Sequence, residues 1–217
     1  MDLGDLFNRA CSLLQGRNLT YAVAGGFAAA LYREQPRLTN DADIALLAGV
    51  NEKEVAEEIL GSLGLESIQL SRIADLEGGP IFATTKKSTP PAVVIGREES
   101  KSAGPGVDFI LSTVPWVSSA VARAQFNQLD FGFGRVPTLT VEDVLLAKMY
   151  ARKGNYRPKD EDDLLSIFAA NHTLDFNYLN SQMQKLYLVI PKSIRKQVPE
   201  ILQKISKDVE KKIREKL

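Results

Sequence analysis

Leu3, Leu6, Phe7, Ala10, Leu13 and Leu14 recur at helical spacing and predict a helix over about residues 3–15. Tyr21-Ala22-Val23-Ala24 is a short unbroken apolar run that ends on Gly25-Gly26, and Phe27-Ala28-Ala29-Ala30-Leu31-Tyr32 opens a helix directly behind it. A second apolar run is entered through Asp41-Ala42-Asp43 and predicts a strand over 41–47. Glu52 to Leu63 is amphipathic at helical spacing. Ser67 to Ile73, Ile81 to Thr84 and Ala92 to Ile95 read as strands, set apart by the turn formers Gly78-Gly79-Pro80 and Pro90-Pro91. The polar stretch from Gly96 to Gly106 reads as a loop, and Val107 to Leu111 as a further strand. Pro115 suits the first turn of a helix reaching about Ala124, and Phe126 to Phe133 is strand-like. Thr140 is a good N-cap for a helix with Val144, Leu145 and Met149 on its apolar face, and another helix opens at Asp160. After Pro199, Ile201, Ile205, Val209 and Ile213 form a narrow apolar stripe. The order predicts an α/β fold: a mixed β-sheet core with helices over residues 1–136, then a mainly helical region over 137–217.

A chain of 217 residues can bury a sizeable core. Its 27 basic and 27 acidic residues balance, which argues against a general nucleic-acid binder. The balance is uneven, because residues 192–217 carry nine Lys and Arg against four acids. That basic helix reads as a solvated face or, more sharply, as an RNA-binding or partner-binding surface. The single cysteine, Cys11, lies in the apolar pattern of the first helix and reads as a buried thiol. It excludes an intrachain disulfide and suits a reducing compartment. His172 is the only histidine, which removes most zinc sites and multi-histidine phosphohydrolase centres; it reads as a helix C-terminal cap or a surface residue. No apolar run reaches membrane-spanning length and no basic-then-apolar leader opens the sequence, so a cytoplasmic protein is expected.

The chemistry concentrates at Asp41 and Asp43. On a strand, side chains repeat every two residues, so both carboxylates face the same way with Cα atoms roughly 6.5 Å apart. Two such carboxylates repel unless a cation lies between them, and Mg²⁺ takes oxygen ligands from one or two carboxylates plus substrate phosphates. Set against this, acids at the start of an apolar strand often only close a turn. The Gly25-Gly26 pair at a strand-to-helix turn tips the reading, because glycines let backbone N–H groups approach phosphates at a helix N-terminus. Asp108 is a lone charge in a strand that otherwise reads as buried, costly unless paired or metal-bound, or else an exposed strand end. Lys148, inside the apolar stripe of its helix, either snorkels or points into a cleft. Asp160 reads as the N-cap of its helix or as a site carboxylate. Arg97 and Lys101 in the polar loop read as a solvated hairpin tip or as a flap reaching a phosphate.

Taken together, the Gly-Gly turn followed by Asp-x-Asp resembles the nucleotidyltransferase superfamily of the DNA polymerase β type, with an interval slightly longer than usual. Arg37-x-Thr39-x-Asp41-x-Asp43 is similar to the second motif of the abortive-infection, AbiEii-like toxin nucleotidyltransferases. Thr140 to Lys148 resembles their Lys-bearing helix, and Arg157-x-Lys159-Asp160-x-x-Asp163 their last motif. The likeness spans about residues 20–170. It implies a nucleotidyltransferase-type sheet and transfer of a nucleoside monophosphate from a nucleoside triphosphate, ATP among them, to an acceptor hydroxyl. It further implies that Gly25, Gly26, Arg37 and Thr39 bind the nucleotide and that Asp41, Asp43 and Asp108 hold Mg²⁺ or Mn²⁺. Lys148 would contact phosphate and Asp160 would orient or deprotonate the acceptor. In toxin members the acceptor is commonly tRNA and an antitoxin protein is the partner; in other members the acceptor is a small molecule or a protein. A non-catalytic nucleotide-binding or partner-interaction protein that keeps the fold is the alternative.

Overall fold

The computed structural model describes residues 2–76, 79–83, 91–98, 104–153, 157–171 and 173–215, with residues 71–76 and 79–83 described by their backbone alone. His172 and Lys101 lie outside the described residues. The chain divides into two compact units, one of Met1–Ala28, Arg37–Ile73 and Ile81–Thr140, the other of Ala29–Pro36, Ala74–Pro80 and Val141–Leu217. The strands β1 (Thr20–Val23), β2 (Asp41–Leu47), β3 (Glu66–Leu76), β4 (Gly79–Ala83), β5 (Pro91–Arg97) and β6 (Gly106–Ile110) form a mixed sheet in the order β1-β2-β6-β5-β3-β4. β2 and β6 are parallel, while β1 with β2 and β5 with both β3 and β6 are antiparallel.

Strand periodicity sorts the sheet into two faces. Ala42, Ile44 and Leu46 on β2, Val107 and Phe109 on β6, and Ala92 and Val94 on β5 are all fully buried on one of them. The helices α1 (Leu3–Gly16) and α3 (Glu52–Ser62) pack against these strands, driven by the burial of Leu6, Phe7, Ala10, Leu14, Ala56, Ile59 and Leu60. Gly96 belongs to this face, where a side chain would strike Leu60 of α3. Asp41, Asp43 and Asp108 occupy the opposite face, each of them half-buried.

The other helices of the chain's first part are α2 (Gly25–Tyr32) and α4 (Val117–Ala124), the latter against β1 and β2. Pro115 precedes α4 by two residues instead of occupying its first turn. Phe126 to Phe133 is not one strand. Only β7 (Gln128–Asp130) is extended, and it turns back through Gly132 (φ +89°) and Gly134 (φ +138°) into β8 (Arg135–Pro137). The turn demands glycine conformations that apolar periodicity does not report. It also returns Phe131 and Phe133 edge-on to Phe7, at centroid distances of 5.2 and 5.4 Å, while Phe27 stacks on Phe7 at 4.6 Å. Gly96 and Arg97 extend β5 and Gly106 begins β6, so the polar segment between them is shorter than its composition suggests.

In the second unit α5 (Val141–Arg152) packs on α6 (Pro158–Ala170) and on α7 (Phe176–Leu186), and α7 on α8 (Glu200–Arg214). The buried stripe of α8 is Leu202, Ile205, Ser206 and Val209; Ile201 is 46% exposed. The serine is accommodated because its Oγ accepts the backbone N–H of Ile190 at 2.8 Å. Among the described residues no helix is long and apolar enough to cross a membrane. Cys11 is buried, and burial pushes its thiol up to about 12.

Glu52, the first residue of α3, is buried at 6% exposure and accepts three hydrogen bonds. These come from Ala48 N–H at 3.2 Å, Ser112 N–H at 2.8 Å and Ser112 Oγ at 2.7 Å, tying the loop after β6 to the start of α3. Glu52→Ala leaves those donors unanswered and is expected to lower unfolding stability by about 3 kcal/mol in urea melts. Glu58→Ala on the exposed side of α3 should change it by no more than about 0.5 kcal/mol.

Candidate functional site

β2 and β6 pair in parallel with Asp43 opposite Asp108 and Asp41 opposite Gly106. In-register neighbours share a face, so three carboxylates from two adjacent strands gather on the half-buried side of the sheet. The first residues of α2 lie against one of them, Asp43. Gly25 adopts φ +54°, and a side chain there would collide with the Asp43 carboxylate. Gly26 donates its N–H to Asp43 Oδ2 at 3.3 Å, and a Cβ on it would lie 2.6 Å from Thr39 Oγ1. Thr39 in turn donates to the backbone oxygen of Asp41 at 3.2 Å, fixing the entry into β2. Arg37 lies two residues earlier, its Nη1 on the Leu38 carbonyl at 3.1 Å. Gly25, Gly26, Thr39, Asp41, Asp43 and Asp108 are thus one neighbourhood.

The cation on this patch is a side chain. Arg97, at the end of β5, sends Nη1 to Asp108 Oδ1 at 2.5 Å and Nη2 to Asp108 Oδ2 at 3.2 Å, with Nη2 also 3.0 Å from Asp41 Oδ1. Asp108 is therefore paired, which answers the cost of a charge in a buried strand. Burial pushes its carboxyl above the ordinary value; the Arg97 guanidinium pulls it back and the charge of Asp41 adds to the rise. Among the described residues no group of three or more His, Cys, Asp or Glu side chains is disposed to hold a metal as it stands. The donor set itself, carboxylate oxygens from adjacent strands, suits a hard divalent ion.

The second unit builds a separate cluster. Lys148 on α5 is 8% exposed and neither snorkels nor points into open space. Its Nζ lies 2.9 Å from Asp160 Oδ1 and 2.8 Å from Asp163 Oδ2, both on α6. Arg33, just past the end of α2, adds Asp163 at 2.6 Å and Asp162 at 2.8 Å. Asp160 is not the N-cap of α6. Arg157 holds that position with Pro158 behind it, and Asp160 lies buried inside the first turn. Arg157 Nε is 3.0 Å from Asp160 Oδ2, yet this oxygen receives no hydrogen bond among the described residues.

Arg33 is the residue that sequence reasoning missed, because nothing near it marks it. Arg97 stands in a run that reads as loop, where it reads only as a tip or flap residue and not as the partner of Asp41 and Asp108. Asp163 was visible as the final acid of its motif and as a residue three after Asp160, hence on the same helical face.

No protein-family model matches the chain, and no curated protein matches it significantly. Among solved structures, an antigenic nucleotidyltransferase-like protein from Paracoccidioides brasiliensis aligns at 17% identity over 85% of this chain and 87% of that one, with a TM-score of 0.46. The antibiotic-resistance factor ANT(2'')-Ia aligns at 16% identity over 84% and 90%, TM-score 0.46. The lincosamide antibiotic adenylyltransferase LnuA with lincomycin bound aligns at 15% identity over 74% and 92%, TM-score 0.45. All three scores lie below 0.5, a likeness on which no assignment rests.

The ion pairs of the second unit differ in burial, and stability should follow. Asp163 is fully buried between Arg33 and Lys148, whereas the side chain of Asp162 is 65% exposed. Asp163→Asn leaves two buried cations short of a partner and is expected to cost about 3 kcal/mol in chemical denaturation. Asp162→Asn should cost under about 1 kcal/mol. Equal losses would mean that the buried position carries no special electrostatic weight.

Proposed function

We propose that this chain is a Mg²⁺- or Mn²⁺-dependent nucleotidyltransferase that moves a nucleoside monophosphate from a nucleoside triphosphate to an acceptor hydroxyl and releases pyrophosphate. The observation that carries the reading is the gathering of Asp41, Asp43 and Asp108 on one face of two parallel strands, directly beside the Gly25-Gly26 turn. Carboxylates so placed repel one another and call for a cation, and the order of the four motifs points the same way.

In this reading Asp41, Asp43 and Asp108 hold the divalent ion, which when bound neutralises charge developing at the α-phosphorus. Gly25 and Gly26 let the backbone come close to the triphosphate, with the N–H of Gly26 exchanging its long bond to Asp43 for a phosphate oxygen. Thr39 and Arg37 shape the nucleotide side of the turn. Asp160, one of whose carboxylate oxygens is ion-paired with Arg157 but receives no hydrogen bond among the described residues, is the group to accept the acceptor hydroxyl's proton. Lys148 fixes Asp160 through their ion pair and supplies positive charge for phosphate. The motif resemblance makes tRNA the acceptor and an antitoxin protein the partner, as in AbiEii-like toxins.

A second reading rests on Lys148. Its ammonium is already matched by Asp160 and Asp163, so it serves equally as a strut joining α5 to α6 in a nucleotide-binding protein without transfer activity. Purified protein incubated with each labelled nucleoside triphosphate, Mg²⁺ and total cellular RNA separates the two. Label on RNA or protein with pyrophosphate release supports transfer, and nucleotide binding without release supports the other.

Asp41→Asn and Asp43→Asn should each abolish transfer while the protein stays folded by circular dichroism. Nucleoside triphosphate should raise the melting temperature of the wild type only when a divalent cation is present. Stabilisation of equal size in chelator counts against a shared metal.

Asp160→Asn preserves shape and is expected to lower the transfer rate by roughly 10²-fold or more if the carboxylate takes a proton. Lys148→Met should destabilise by about 3 kcal/mol, because it takes one cation from each of two buried carboxylates, leaving Asp163 to Arg33 and Asp160 to the half-exposed Arg157. An Asp160→Asn variant with wild-type rate would leave α6 a structural role alone.

A further inference from the structure

We propose that Arg97 is an internal counter-cation that fills the Asp41–Asp108 cation site in the free protein, so that metal and nucleotide bind as a coupled pair. The inference rests on the nucleotidyltransferase reading for the identity of the ligands and goes beyond it in the role of Arg97.

Two independent features make the seat of this guanidinium a built one. The first is its contacts. Both Nη atoms engage Asp108 as a fork, Nη2 also reaches Asp41 at 3.0 Å, and Nη1 donates to the Gly96 carbonyl at 2.8 Å. The side chain is 18% exposed, against 38% for Asp41 and 14% for Asp108. The second is the empty register position. Gly106 stands opposite Asp41 on β6, and a Cβ there would collide with Nη1 of Arg97 and with the backbone oxygen of Gly96. Glycine at 106 leaves room both for the guanidinium and for the close approach of β5.

Arg97 must therefore release both carboxylates before they can accept a divalent cation. Breaking these charge-assisted bonds opposes metal binding by itself. A triphosphate reverses the balance, because its oxygens offer the released guanidinium the planar, bidentate partner it has lost. Nucleotide thus raises metal affinity, and by reciprocity metal raises nucleotide affinity by the same factor.

The test measures free Mn²⁺ by electron paramagnetic resonance, with and without the non-hydrolysable analogue α,β-methylene-ATP. Wild-type protein should bind Mn²⁺ weakly alone and roughly 10-fold or more tightly with the analogue. Arg97→Met keeps the stem and removes the charge. It should bind Mn²⁺ alone about 10-fold or more tightly than wild type, with most of the coupling gone. Its melting temperature without metal should fall and be recovered by Mn²⁺. Arg97→Lys retains a point charge without the fork and should fall between; it also serves if Arg97→Met does not fold. If either folded variant binds Mn²⁺ no more tightly than wild type while wild type shows metal binding, the role of Arg97 is overturned and the catalytic reading stands. If neither wild type nor variant binds Mn²⁺ in the presence of the analogue, both readings fall together.

Discussion

Parallel strands with acidic residues in register create an electrostatic demand that backbone hydrogen bonding cannot meet. Asp43 and Asp108 are direct neighbours across β2 and β6, and Asp41 follows two residues before Asp43 on the same face. At such separations, with partial burial, like charges repel one another unless a cation is supplied. The protein meets the demand by three local choices. Arg97 brings the charge from the adjacent strand, Gly106 leaves the space for it, and Gly25 and Gly26 keep side chains away from Asp43 and Thr39. The sheet order matters because β6 lies between β2 and β5, which puts an arginine at the end of β5 within reach of acids on both other strands.

Much of this organisation is legible in the residues. The acid strand at 41–47, the strand–Gly–Gly–helix unit before it and the amphipathic helix after it all follow from periodicity and turn chemistry, because each is decided by local pattern. The hairpin of β7 and β8 does not, since its direction is set by two glycines in positive-φ conformations inside an otherwise strand-like aromatic run. For the site, the carboxylates carry a spacing signal and their counter-ion carries none. Arg97 stands 11 positions before Asp108, and only strand pairing brings them together. The cap alternative for Asp160 fails for a related reason: an acid after proline near a helix start has the composition of a cap, and its burial against Lys148 is a tertiary fact.

The second unit poses the same demand in a different form. Lys148, Asp160, Asp163 and Arg33 make an alternating chain of buried charges in which each cation meets two acids. Such a chain adds little net stability over a well-packed apolar contact, but removing a single member is costly. It ties α5 to α6 through two defined pairs, Lys148 with Asp160 and with Asp163.

The eight residues from Ala29 to Pro36, which include the end of α2, have a consequence in time. Arg33 belongs to the second unit, and its buried partner Asp163 lies 130 positions further along the chain. At ribosomal speeds of about 5–20 residues per second, Arg33 emerges on the order of ten seconds before Asp163 exists. During that interval nothing in the chain made so far can complete its ion pair. The second unit is consequently the late-maturing part of the molecule, and a nascent chain stalled before α6 presents an unmatched arginine to whatever binds emerging polypeptides.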